Sequence, residues 1–257
     1  MNKIEQKVIL LLALGALAGC ADTPEVRDSE SPGTKIEGEQ PQPTGTEAIL
    51  IPEAARVIED SSNGRFLISE SESSHPFFLG RAVRCDGVPA HRQGTRIICG
   101  DGTAERAPQV TYIYIPLDST AKEQGDTDIL RAPIVTLSLL KEHGSLPCEG
   151  PPGEAFQRLM KRYAGDLGTM VSQTSSKPVA VLLEYQGSRA YGAVPATALG
   201  LAQGQVNASF MDLAPVEEGG GGGVSCTCNS SGSCPKKGQW PATWCDASSC
   251  SSCTMRY

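Results

Sequence analysis

The sequence predicts an α+β fold: a mainly antiparallel sheet with one main amphipathic helix, followed by a small cysteine-rich, disulfide-stapled module. Three observations carry that prediction. Runs of β-branched and aromatic residues, bounded by turn residues, recur along the middle of the chain. One stretch beginning at Glu154 has helical apolar spacing instead. Six of the ten cysteines crowd into the segment from Val224 to Tyr257.

The amino terminus begins with Lys3 and Lys7, partly offset by Glu5, and continues into an apolar run from Val8 to Ala18. That run is shorter than the roughly 20 residues a membrane-spanning helix needs, and it suits a cleaved secretory signal. It closes on Leu17-Ala18-Gly19-Cys20, which resembles the lipobox of bacterial lipoproteins. The resemblance implies that residues 1–19 are a signal peptide and that Cys20 becomes the lipidated first residue of the mature chain. Two or more acyl chains anchor a protein stably, since each buried CH₂ contributes about 0.8 kcal/mol. Ala21 after the cysteine resembles an outer-membrane address in Gram-negative sorting rules. The expected location is therefore the bacterial cell envelope, with the membrane as a partner through the lipid.

Residues 20–47 are rich in Pro, Gly, Thr and acidic side chains, with Val26 and Ile36 the only aliphatics larger than alanine. Such a composition cannot bury enough apolar surface to offset the entropy of ordering, so a disordered tether is expected. A flexible chain of that length averages on the order of 30 Å end to end.

The body is expected over residues 48–218. Val57-Ile58 and Arg65-Phe66-Leu67-Ile68 flank Asn63-Gly64, a pair suited to a type I′ hairpin turn. Further strands are expected at Phe77–Val83, Gln109–Ile115, Ile134–Leu139 and Val179–Leu183. Between the last two, Phe156, Leu159, Met160, Tyr163 and Leu167 line one helical face, with Gly165 or Gly168 as the expected stop. A weaker helix is expected from Pro195 to Ala202. The acidic stretch Gln124–Asp128 reads as a solvated loop, because it lacks the further oxygen ligands and register of a calcium loop.

The net charge of −7 offers no basic patch for a nucleic-acid backbone. His75, His91 and His143 show neither a His-Glu-x-x-His arrangement nor helical pairing, and Gly-x-Ser-x-Gly and phosphate-binding glycine loops are absent. The sharpest enzymatic idea is a nucleophilic Cys148 served by His143. No catalytic residue is assigned.

Gly219–Gly223, residues 219–223, is expected to be a linker, because consecutive glycines maximise backbone freedom. The module beyond it, 224–257, is too small and polar for an ordinary core. With Cys20 lipidated, nine cysteines remain, so one is left over. Cys85 and Cys99 are expected to close a short loop, which leaves Cys148 as the odd one, with pairing to the tail as the alternative. Cys226, Cys228, Cys234, Cys245, Cys250 and Cys253 would form three disulfides among 15 possible connectivities, with Cys226 and Cys228 taking different partners. The alternative is zinc held by Cys226, Cys228, Cys250 and Cys253. Export to an oxidising compartment favours disulfides, and no cofactor is the expected state.

Trp240 and Trp244 share this tail with Lys236 and Lys237. Either the rings cover the disulfides, or they form a cationic amphipathic face that binds an envelope protein, a glycan or a membrane surface. The glycine joint and Cys-x-Cys start also resemble cysteine-rich bacteriocins made at the end of a precursor. The expected function is a lipid-anchored, non-enzymatic envelope protein with a binding or structural role. The alternatives are an envelope enzyme using the Cys148 thiol, and a precursor of a released peptide.

Overall fold

A computed structural model describes residues 48–69, 77–100, 107–117, 125–140, 145–148, 150, 152–176, 178–201, 224–239 and 241–256. All of these lie within one compact unit spanning Pro41–Tyr257. The lipobox, the tether and the glycine run lie outside the described residues.

The first half of the chain supplies strands β1 (Ile49–Leu50), β2 (Arg56–Asp60), β3 (Arg65–Ser69), β4 (Phe77–Arg84), β5 (Ala90–Gln93), β6 (Arg96–Cys99) and β7 (Gln109–Pro116). Helix α1 (Asp126–Arg131), strands β8 (Val135–Leu139) and β9 (Ser145–Cys148), and the long helix α2 (Glu154–Gln173) follow. Then come β10 (Pro178–Tyr185), β11 (Ser188–Pro195) and a 3-10 turn at Ala196–Leu199. The tail adds β12 (Ser225–Cys228), β13 (Lys236–Gln239), β14 (Ala242–Cys245) and β15 (Cys253–Arg256).

Nine strands form one sheet in the order β13-β14-β11-β10-β8-β7-β4-β3-β2, and two three-stranded sheets accompany it, β1-β6-β5 and β12-β15-β9. Every pairing among the described strands is antiparallel. The architecture is thus α+β, mostly antiparallel sheet with one main helix.

Strand alternation sorts the core onto the two faces of the large sheet. Leu79, Tyr114, Leu137, Val181 and Leu183 point to one face and pack under Phe156, Met160, Tyr163 and Leu167 of α2. Farther along that face, Phe66, Ile68 and Val83 meet Ile97 of the small β1-β6-β5 sheet. On the opposite face Leu67, Phe78, Ile113 and Ile115 pack on Ile129 of α1. Beyond them Tyr191 and Leu182 are covered by Cys234, Cys253 and Met255 from the tail.

The tail is thereby part of the body twice over. Its hairpin β13–β14 extends the large sheet through the Tyr191–Thr243 pairing, and β15 pairs with β9. The expected boundary at the glycine run separates stretches of sequence whose strands share one sheet.

Three local expectations are corrected. The acidic stretch is not wholly loop: Gly125 caps α1, and Asp126 pairs with Arg56 at 3.0 Å. Helix α2 runs through Gly165 and Gly168 to Gln173, because burial of Tyr163 and Leu167 outweighs the roughly 1 kcal/mol cost of each helical glycine. The expected second helix is only the short 3-10 turn, ended by Gly200 in the left-handed region at φ 67°.

The Asn63-Gly64 turn also differs from expectation. β2 and β3 are joined by four residues, with Asp60 opposite Arg65. The Asp60 carboxylate, 1 % exposed, organises them. It accepts from Ser62 Oγ at 2.6 Å, Asn63 Nδ2 at 2.8 Å and Arg65 Nε at 2.7 Å. Burial alone would raise its pKa, but hydrogen bonds from Ser62, Asn63 and Arg65 and the Arg65 charge together hold it at about 2.

A group titrating lower when folded stabilises the fold fully above its unfolded pKa, here about 4. That contribution, about 2 kcal/mol, disappears as pH falls toward the folded value. Asp60→Asn should therefore be less stable at neutral pH and lose part of the acid dependence that the native chain shows below about pH 4. Denaturant midpoints across that range check it, and an acid slope unchanged by the substitution would assign the dependence elsewhere.

Candidate functional site

The tail's shape is set by its sulfurs. Cys226 is bonded to Cys245, Cys228 to Cys250 and Cys234 to Cys253, while Cys85 and Cys99 close the β5–β6 region. The adjacent pair Cys226 and Cys228 takes separate partners. The zinc alternative does not survive this connectivity. Cys226, Cys228, Cys250 and Cys253 belong to three different bonds, so they offer no thiolates to a metal. The sulfurs of Cys228, Cys234 and Cys250 lie within 4.8 Å of one another, but this closeness is that of two neighbouring disulfides.

Cys148 is the free cysteine among the described residues. It sits at the end of β9, opposite Cys253 of β15, against a small cavity of about 60 Å³ shared with Leu182, Cys245 and Met255. Burial pushes its pKa above the usual cysteine range, and a backbone hydrogen bond at Cys245 offsets only part of that. A reactive cysteine needs the reverse, an electropositive setting that favours thiolate. His143 and His75 lie outside the described residues. His91 is exposed on β5, in a different sheet from Cys148.

A far larger concavity, about 780 Å³, lies between α2 and the tail hairpin β13–β14. The helix that buries Phe156, Met160 and Tyr163 must present Gln157, Arg158, Lys161 and Gly165 along its flank, three or four residues apart. The hairpin contributes Gln239 and Trp244 to the opposite wall. Gly165 has open space where a side chain would begin, so no side chain fills that part of the groove.

Trp244 is seated by the glycine diagonal to it. Gly238 has φ 77°, and a Cβ there would fall 2.6 Å from the indole and 2.5 Å from the Ala242 carbonyl oxygen. The half-buried indole therefore lies over Gly238 and also packs against the α2 core. Gln157, Arg158, Lys161 and Gln239 are exposed. Lys237, the register partner of Trp244, shares the groove-side face of β13 with Gln239, while Lys236, opposite Cys245, falls on the other face. Trp240 lies outside the described residues.

The structure thus sets Trp244 beside Lys237, with Lys236 on the opposite strand face, and joins Trp244 to a helix some 80 residues earlier. Gln157, Lys161 and Gln239 carried no signal of their own, since on a helix face and a polar strand they read as ordinary surface. Comparison with protein-family models, curated proteins and solved structures returns no match for this chain.

Proposed function

We propose that this chain is a non-enzymatic, lipid-anchored cell-envelope protein whose groove between α2 and the β13–β14 hairpin binds a glycan. The observation that carries the binding role is the groove itself. It has a half-buried indole on one wall and the amides of Gln157 and Gln239 on facing walls; Gln157 Nε2 already donates to the Pro152 carbonyl at 2.8 Å, which leaves its second N–H and its carbonyl oxygen for a ligand. An aromatic ring takes the apolar C–H face of a sugar, and amides donate to and accept from its hydroxyls. Its open form suits a chain laid across it more than a small molecule enclosed. Burial of Cys148, which raises its thiol pKa, counts against the alternative of an enzyme using that thiol.

Anchoring rests on the Leu17–Cys20 motif and on a tail stapled by three disulfides, the cysteine usage of an exported protein. No helix among the described residues is long and apolar enough to cross a membrane.

One experiment tests both halves. Cells producing the native chain, Cys20→Ser or Gln157→Ala/Gln239→Ala are fed labelled palmitate, and each chain is then assayed for retention on polysaccharide isolated from the same envelope. The native chain should carry label and be retained. Cys20→Ser should lose the label and keep retention, while the glutamine variant should do the opposite. A Cys20→Ser chain still labelled would sink the anchor, and retention unaffected by the two glutamines would sink the groove.

A further inference from the structure

Resting on the glycan reading of the groove, we infer that its ligand is an acidic glycan, a sugar chain carrying carboxylates or phosphates. The charge around the groove runs against the chain as a whole. The full sequence has a net charge of −7. Yet Lys161 on α2 and Lys237 on β13 are exposed, and neither has an ion-pair partner among the described residues. Arg158, the third cation, meets only Glu154 at 3.7 Å, in a pair whose side chains are 76 % and 91 % exposed. Such a pair contributes little, so Arg158 stays available to an incoming anion. Arg56, Arg65 and Arg189 are paired with Asp126, Asp60 and Glu184, whereas Arg84, Arg92, Arg96, Arg131 and Arg256 are exposed at scattered positions, on elements other than α2 and the β13–β14 hairpin.

Arg158 and Lys161 therefore line one concavity, with Lys237 on the same strand face as Gln239 and Trp244, against the one lining acid, Glu154, on a chain whose net charge is negative. A locally positive groove raises the local concentration of anionic ligands and orients them, although each exposed contact is weak. The indole and the two amides supply what charge cannot, a flat apolar surface and hydroxyl partners. Together they match a chain that alternates sugar rings with acid groups.

An anionic lipid surface fits less well. It would require large apolar side chains at the rim, and the large hydrophobics most exposed among the described residues, Leu50 and Val110, belong to β1 and β7 rather than the groove. An acidic peptide shares the charge but makes no use of a sugar-stacking indole.

The test titrates the full mature chain, held in detergent micelles, with three probes: oligogalacturonate, its carboxyl-reduced neutral counterpart, and polyglutamate. Tryptophan emission and calorimetry report binding. Oligogalacturonate should bind best, weaken as salt is raised, and lose about fivefold in affinity in Lys161→Gln/Lys237→Gln, whose exposed sites leave folding intact. The neutral sugar binding equally well would overturn the acidic ligand and leave the glycan reading standing. Polyglutamate alone binding would overturn both in favour of a peptide, and no binding by either sugar would remove both. Oligogalacturonate binding indifferent to the two lysines would place the acid contacts outside this groove and overturn the inference.

Discussion

Removing the Cys234–Cys253 bridge should destabilise the whole described fold, not the tail alone. The physical reason is where that bridge sits. Cys253 is fully buried and Cys234 nearly so, and both pack with Met255 and Tyr191 on a face of the large sheet. A disulfide of this kind contributes about 2–5 kcal/mol, which is a large part of a domain's total stability. The Cys234→Ser/Cys253→Ser double variant is the right one to make. A single change would free a thiol next to Cys148 and invite reshuffling. Amide exchange should quicken in β10 and β11 as well as in β12–β15, and thermal unfolding should remain one transition at a lower midpoint. Two separated transitions, with β10–β11 still protected, would show that the tail is an independent module after all.

That the tail belongs to the body was not legible in its residues. Lys236–Gln239 has no β-branched or aromatic residue and Ser225–Cys228 only Thr227, while in Ala242–Cys245 the Thr243-Trp244 pair is too short a run to mark a strand in isolation. They form strands because β10 and β11 present an unfilled face and edge to them, and strand preference follows such context more than composition. The segments that were legible bury continuous apolar runs, such as Phe77–Arg84 and Gln109–Pro116, which need no distant partner to be recognised. The same holds for α2, whose Phe156–Leu167 stripe announces it. Its true end was hidden, since Gly168 looks like a stop until Pro241 of the tail is seen 3.5 Å from where its side chain would begin.

Cysteine counting went further than periodicity did. It singled out Cys85 with Cys99, the six tail cysteines as three pairs, and Cys148 as the remainder, because pairing constrains parity as well as place. The groove lay beyond that kind of reasoning. Trp244 and the lysines stood out as unusual residues in a small tail, while Gln157 and Lys161 acquire meaning only once α2 and the hairpin are brought side by side.

What brings them side by side is a missing methyl group. Gly192 lies in the middle of β11, opposite Val181, where α2 and the tail both press on the sheet. A Cβ at that position would stand 2.5 Å from Leu183 Cδ1, 2.7 Å from the Tyr163 hydroxyl and 2.9 Å from the Pro241 carbonyl oxygen. Leu183 has a flexible end and can yield. Tyr163 cannot, because its ring is fully buried and its hydroxyl donates to the Ala193 carbonyl at 2.9 Å. The Pro241 contact is with backbone and is equally fixed. Gly192→Ala should therefore cost about 1–3 kcal/mol by overpacking, read as a lowered denaturant midpoint. The displaced elements are the two walls of the groove, so glycan affinity should fall even under conditions where the variant is fully folded. Tyr163→Phe removes one of the colliding atoms, and adding it to Gly192→Ala should cost less than the sum of the separate changes. Strict additivity, or a Gly192→Ala chain as stable as the native one, would mean that α2 and the hairpin do not converge on β11, and the groove they enclose would lose its structural basis.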